Sequence, residues 1–203
     1  MQRCLDVAVA AVAVVIGAPV LVAIAIALHH RQGPPILFRQ ARLGRGGQPF
    51  ELRKFRTLTN EQGPDGALLS DAERLTPFGR WLRSTSLDEL PELWNVLRGD
   101  MSLVGPRPLP VAYRDRFTLN EARRMEVRPG LTGWAQTNGR NAVDWDNRLA
   151  MDVWYVDHRS LWLDLRILAR TTGLVLGRRG ISAEGSATMH EFRRPDNGTR
   201  GPR

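Results

Sequence analysis

Asp88 and Glu89 are the residues whose type and setting point most directly to chemistry. They sit side by side in SLDELPELWNVL. Arg80, Arg83, Arg98 and Arg107 flank them in sequence, and Lys54 and Arg56 lie upstream. Adjacent carboxylates among guanidinium groups suit phosphoryl transfer. One carboxylate attacks phosphorus; the other, or the same one, holds a hard divalent cation that neutralises a diphosphate. The string GDMSLVGPRP that follows is too rich in glycine and proline for a helix. Loops of that kind expose backbone N–H groups that can cradle phosphate.

A structural role accounts for the same acids. Ser86 followed three residues on by Glu89 reads as a capping box, and acids in a first helical turn complement the helix dipole. On a helical wheel Leu87, Leu90, Leu93, Trp94 and Leu97 form a buried stripe, with Asp88, Glu89 and Glu92 on the solvated side. The surrounding arginines then make a surface ion-pair lattice that contributes little. Asp152 is a further acid that stands out. It lies on the apolar side of its helix between Leu149 and Val156. A buried carboxylate without a partner is costly, so it should meet an arginine or a metal. His29, His30, His158 and His190 show no metal-ligand spacing.

The elements that must position these residues begin with an apolar run, Val7 to Leu28, with no charge over 22 residues. It is long enough to cross a bilayer and apolar all the way round. Two topologies stay open: a spanning helix, and a re-entrant helix that enters and leaves on one face. Pro19, with Gly17 beside it, makes a bend near the middle easier, but prolines are tolerated in spanning helices, so the physics of the run alone favours spanning. Arg3 precedes the run, whereas His29, His30, Arg31, Arg39, Arg42 and Arg45 follow it, so the basic body faces the cytoplasm in either case. The remaining pattern predicts short strands at Ile36 to Phe38 and Phe50 to Phe55 around the turn LGRGGQ. Helices are predicted at Pro77 to Arg83, Leu87 to Leu97, Tyr113 to Met125, Trp145 to His158 and Leu161 to Leu176. The fold class is α+β, mainly α. Its units are a membrane-anchoring helix (1–32), a small cytoplasmic catalytic domain (33–191) and a disordered tail (192–203). In the last two helices, Trp145, Leu149, Val153 and Val156 form one apolar stripe, and Leu161, Trp162, Leu165, Leu168, Ala169, Val175 and Leu176 a broader one. Such stripes lie either in a headgroup layer or on the protein's own core.

At 203 residues the chain is one domain with a small appendage. A formal charge of +8 implies anionic partners: nucleic acid, phosphorylated small molecules or lipid headgroups. The arginines are spread along the chain and match no nucleic-acid-binding motif, which argues against a membrane-tethered nucleic-acid binder. A non-catalytic scaffold of a polysaccharide assembly system is the other alternative. Cys4 is the only cysteine, so no intrachain disulfide forms.

Taken together, KFRTL, SLDELPELWNVLRGDMSLVGPRP, RPGLTGWAQTNGRN and the closing D..YV...S..LD..IL..T resemble the bacterial sugar transferase family over roughly residues 1 to 192. The length and single N-terminal apolar segment resemble its small monotopic members, the polyprenol phosphate phosphoglycosyl transferases. The resemblance implies that Asp88 is a nucleophile that attacks the sugar-bearing phosphate of a UDP-sugar. UMP leaves, and undecaprenyl phosphate then takes the phosphosugar from the aspartyl intermediate. It implies Mg²⁺ held by Asp88 and Glu89, and substrate or phosphate binding by Lys54, Arg83, Arg107 and Asp152. It also implies a re-entrant N-terminal helix broken at Pro19. The family's Ser-Pro pair is Ala18-Pro19 here, which removes a hydroxyl that would satisfy the broken helix. The stretch GISAEGSATMHEF resembles members that use diacetylbacillosamine or related N-acetylated amino sugars such as GlcNAc.

Overall fold

The computed structural model describes residues 2–138, 143–177 and 191–192. Helix α1 (Gln2–Gln32) is continuous, and its helical run is not interrupted at Pro19. Small and apolar side chains let it lie close on the body. Ala10, Ala13 and Val14 join the main core with Leu52, Leu93, Val96 and Leu103, while Ile24 and Leu28 pack on Phe55 and Leu82. The other face, with Val12, Val15, Ile16, Val20, Val22 and Ile26, is exposed.

Both ends of α1 are fixed to the same body by polar contacts. At the start, Gln2 donates to Asp164 (2.8 Å), and Arg3 donates to the carbonyls of Val96 (2.6 Å) and Leu97 (2.9 Å). Buried Asp6 accepts from Ser102 Oγ (2.6 Å) and the Leu103 N–H (3.2 Å). At the end, Gln32 donates to Thr76 Oγ1 (3.0 Å), and Arg56 donates to the carbonyls of Gln32 (2.5 Å) and Gly33 (2.7 Å).

Strands β1 (Leu37–Leu43) and β2 (Pro49–Phe55) form an antiparallel hairpin whose register sets Lys54 opposite Phe38. Helix α2 (Asp71–Arg74) opens on a Ser70–Glu73 capping box. Helix α3 (Pro77–Ser84) starts at Thr76, whose side chain accepts from the Gly79 N–H, with Pro77 in the first turn where its missing N–H costs nothing.

The predicted helix from Leu87 to Leu97 is split. Ser86 takes a left-handed conformation (φ 56°) and makes no side-chain cap, so the expected capping box is absent. A 3₁₀ turn covers Leu87–Glu89, and α4 (Glu92–Arg98) starts only after Pro91. Pro91 has no N–H to return to the Leu87 carbonyl, so an α-helix cannot run through with its ladder intact.

Strand β3 (Ser102–Val104) pairs in parallel with β4 (Gly130–Thr132), joining two strings that the sequence presents as an irregular loop and a turn. The backbones meet so closely beside them that a Cβ on Gly130 would lie 2.1 Å from the Gly105 nitrogen. Between them the expected Tyr113–Met125 helix is replaced by a 3₁₀ turn (Val111–Arg116), helix α5 (Leu119–Ala122) and a second 3₁₀ turn (Arg123–Glu126). Extended Phe117 ends the first, and a Thr118–Glu121 capping box starts a new one.

Helices α6 (Trp134–Asn138), α7 (Trp145–His158) and α8 (Leu161–Leu176) close the body, the last two capped by Asp144 and Ser160. Leu149 and Val153 of α7 are buried, so that stripe serves the core. In α8 the core takes Leu163 and Ile167, whereas Leu161, Trp162 and Leu165 are exposed. Phe192, expected to begin a disordered tail, is instead buried against Tyr113, Phe117 and Trp145. Most of GISAEGSATMHEF lies outside the described residues.

Candidate active site

Asp88 is buried (5% exposed), as is Glu92 one helical turn on (4%), and Glu89 is half-buried. The acids therefore do not point to solvent, and Trp94, assigned to the buried stripe, is the exposed one. The stripe fails because the 3₁₀ turn changes the angle per residue between Leu87 and Leu90. What the acids face is cationic. Arg107 Nη2 donates to Glu89 Oε1 at 2.7 Å. Lys54, from β2, acts electrostatically on Asp88, Glu89 and Glu92, and Arg83, from α3, acts on Asp88. Lys54 Nζ also stands 5.6 Å from the centre of the Phe38 ring. Arg83 Nε donates to Thr57 Oγ1 at 2.9 Å, which ties α3 to the end of the hairpin.

The titration of the cluster follows from burial and these charges. Burial, then the Glu89 charge, pushes the Asp88 carboxyl above its ordinary value, opposed by Lys54, Arg83 and Arg107. Burial also acts to raise Glu89. Arg107, through charge and hydrogen bond, together with Lys54 and Arg42, outweighs it and leaves Glu89 below its ordinary value. Among the described residues Glu92 makes no such hydrogen bond or ion pair, and burial followed by Glu89 pushes it up to about 8. Burial holds the Lys54 ammonium below its usual value against the pull of the acids. Glu92 and Arg42 are the site residues that sequence reasoning missed. Glu92 lies four residues after Asp88 and three after Glu89, a spacing that puts all three on one side of a helical turn.

Three residues singled out in the sequence make contacts within the protein itself. Arg56 clamps the chain reversal after α1. Arg98 pairs with Asp100 (3.5 Å) near the surface. Asp152 is buried, and its Oδ2 accepts from Arg124 Nη2 (2.7 Å) and Nε (3.0 Å). The expected arginine partner is thus present.

The GDMSLVGPRP segment is not an open phosphate cradle. The N–H groups of Gly99, Asp100 and Met101 go to the Asn95 carbonyl. Those of Ser102, Leu103 and Gly105 go to the Pro129 carbonyl, Asp6 and the Thr132 carbonyl. Instead, the segment is held by its carbonyls. Pro106 O accepts from the Gly130 N–H (2.9 Å), Arg107 O from Arg124 Nη2 (2.7 Å), Pro108 O from Arg42 Nη1 (3.1 Å) and Leu109 O from the Leu43 N–H (2.9 Å).

A divalent cation fits the acids. Among the described residues no group of three or more His, Cys, Asp or Glu side chains is arranged to enclose a metal. Mg²⁺, however, is usually held by one or two carboxylates plus substrate phosphates and water. Asp88 and Glu89 offer adjacent hard carboxylate oxygens of the kind such a cation takes.

A family model described as bacterial sugar transferase matches residues 1–178. EpsL of Bacillus subtilis, described as an uncharacterized sugar transferase, is 52% identical over 160 residues, covering 79% of each chain. The UDP-glucose:undecaprenyl-phosphate glucose-1-phosphate transferase of Caulobacter vibrioides is 45% identical over 185 residues, covering 86% of this chain and 69% of that protein. The undecaprenyl-phosphate galactose phosphotransferase of Salmonella typhimurium is 38% identical over 197 residues; the alignment covers 89% of this chain and 41% of that larger protein. The family model covers most of the chain, and these relatives are 38–52% identical to it, so the chain belongs to the bacterial sugar transferase family.

Proposed function

We propose that this chain transfers a sugar 1-phosphate from a UDP-sugar to undecaprenyl phosphate, releasing UMP, by way of an aspartyl phosphosugar. The observation that carries the reading is Asp88 itself: a buried carboxylate beside a second acid, with Lys54, Arg83 and Arg107 all acting on it. An Asp88 carboxylate oxygen attacks the sugar-bearing phosphorus, the bond from that phosphorus to the bridging oxygen breaks, and UMP leaves with that oxygen. A phosphate oxygen of undecaprenyl phosphate then attacks the same phosphorus and frees Asp88. Lys54, Arg83 and Arg107 favour the ionised form of Asp88 against the burial and the Glu89 charge that raise it, and they screen the incoming diphosphate; Arg107 also holds Glu89 in place. Mg²⁺ held by Asp88 and Glu89, when bound, supplies Lewis-acid neutralisation of phosphate oxygens.

The membrane reading rests on α1. A 31-residue helix is about 46 Å long, while the hydrocarbon core is about 30 Å. Contacts from Gln2, Arg3 and Asp6 at one end and Gln32 at the other to a single body support a helix that enters and leaves on one face. The exposed Trp162 and Leu165 of α8 suit a headgroup layer. The body then faces the cytoplasm at the bacterial inner membrane. Relatives are named for glucose and galactose, and GISAEGSATMHEF resembles users of N-acetylated amino sugars, so the donor is tested as a panel.

UMP release is measured in nanodiscs with Mg²⁺ and undecaprenyl phosphate across UDP-glucose, UDP-galactose, UDP-GlcNAc and UDP-diacetylbacillosamine. Release with one donor, abolished in Asp88→Asn and accompanied by a phosphosugar adduct on Asp88 before the acceptor is added, is expected. Unchanged turnover in Asp88→Asn would overturn the assignment.

A further inference from the structure

We infer that the buried Asp152–Arg124 ion pair is a positioning strut that sets Arg107 for its work on Glu89 and the substrate phosphates; the inference rests on the reaction proposed above. Asp152 and Arg124 are both only 3% exposed, so neither offers surface to a substrate. Asp152 Oδ2 takes two bonds from Arg124, and the same Nη2 that makes one of them also reaches the Arg107 carbonyl at 2.7 Å. The pair therefore ends on the backbone of the residue whose side chain holds Glu89. Net stability is a weak reason for such a pair, because desolvation of two buried charges consumes much of their attraction.

The local chain explains why one carbonyl matters. Arg107 lies between Pro106 and Pro108. Both rings fix their own φ, neither has an N–H to donate, and a residue before proline is itself confined to extended conformations. The segment is stiff but has no donors at its two prolines, so its orientation is set from outside through carbonyls. Gly130, Arg124 and Arg42 supply those donors at three successive residues. Of the three, the Arg124 contact is the one that lands on Arg107 itself, and Asp152 fixes the guanidinium that makes it. A displacement of about 1 Å at a catalytic group costs about a hundredfold in rate.

The test is a double-mutant cycle between Asp152→Asn and Arg107→Lys, read both as kcat/KM for UMP release and as the Kd of UMP with Mg²⁺. Each single variant is expected to lose about a hundredfold in kcat/KM. The double variant is expected to be no worse than Arg107→Lys alone, in both readouts. A folding control replaces the whole pair by Asp152→Leu with Arg124→Met. That protein is expected to melt near the wild type while showing the same loss of turnover. Losses that multiply would overturn the strut and make Asp152 act independently of Arg107. Full turnover in the apolar-pair variant would overturn it as well. Turnover surviving in Asp88→Asn sinks the reaction proposal alone, and the UMP-affinity cycle still decides the strut.

Discussion

Replacing Glu92 by glutamine should stabilise this protein near neutral pH, by an amount set by one carboxyl. Glu92 is pushed from 4.5 to about 8, by burial first and Glu89 second. Its folded value is raised, so the native state holds a proton that the unfolded chain has already released. The stability associated with that proton is complete below pH 4.5 and is lost as pH rises towards 8. Each pH unit is worth about 1.4 kcal/mol. At pH 7 the loss is about 3 kcal/mol, and above pH 8 it levels at about 5 kcal/mol. Glutamine has the shape of the protonated acid and no such dependence. For a chain of this size 3 kcal/mol corresponds to about 10 °C in Tm. The assay is a set of thermal melts of wild type and Glu92→Gln in EDTA from pH 5 to 9. The two curves are expected to meet near pH 5 and separate as pH rises. A gap that does not grow with pH, or a glutamine variant that melts lower at pH 7, would refute the account of Glu92 as a buried, proton-holding acid.

Two further outcomes are expected. A Cβ on Gly79 would lie 2.1 Å from the Thr57 carbonyl oxygen, so Gly79→Ala must push α3 off the hairpin end. It should cost about 1–3 kcal/mol in a melt and, by moving Arg83, lower UMP release by more than the melt alone explains. Cys4 is exposed and is the chain's one thiol, which makes it a native topology probe. An impermeant maleimide should leave it unlabelled in intact cells and label it in inside-out vesicles. Labelling from outside would mean a spanning helix.

Local signals were legible in the sequence where a single element decides its own fate. The α7 and α8 boundaries and the start of α3 follow from apolar periodicity ended by capping or breaking residues, and the structure has them where expected. Asp88 and Glu89 stood out as adjacent acids among basic residues, whereas Lys54, Arg83 and Arg107 were set apart from Arg56, Arg80 and Arg98 only by the resemblance to the sugar transferase family. What was not legible depends on partners far along the chain. Asp88 and Glu92 look solvated on a wheel because a wheel cannot show Lys54 and Arg42 arriving from the hairpin. GDMSLVGPRP reads as a phosphate loop until β4 and Asp6 are seen to take its N–H groups. Phe192 falls in a charged, glycine-rich tail by composition, yet its ring has an aromatic socket made by Tyr113, Phe117 and Trp145.

The polar fastening of both ends of α1 has a consequence for what the enzyme can sense. On the one-face topology proposed above, a helix tied down at Arg3, Asp6 and Gln32 to one body carries no charge from one side of the membrane to the other. The transmembrane voltage then does no work on it, and a thicker bilayer does not stretch it. On that topology the lipids it meets belong to a single leaflet. Lateral pressure and headgroup charge in that leaflet become the physical variables that tune how deeply the apolar face sits, and with it how readily a lipid-borne phosphate reaches Asp88.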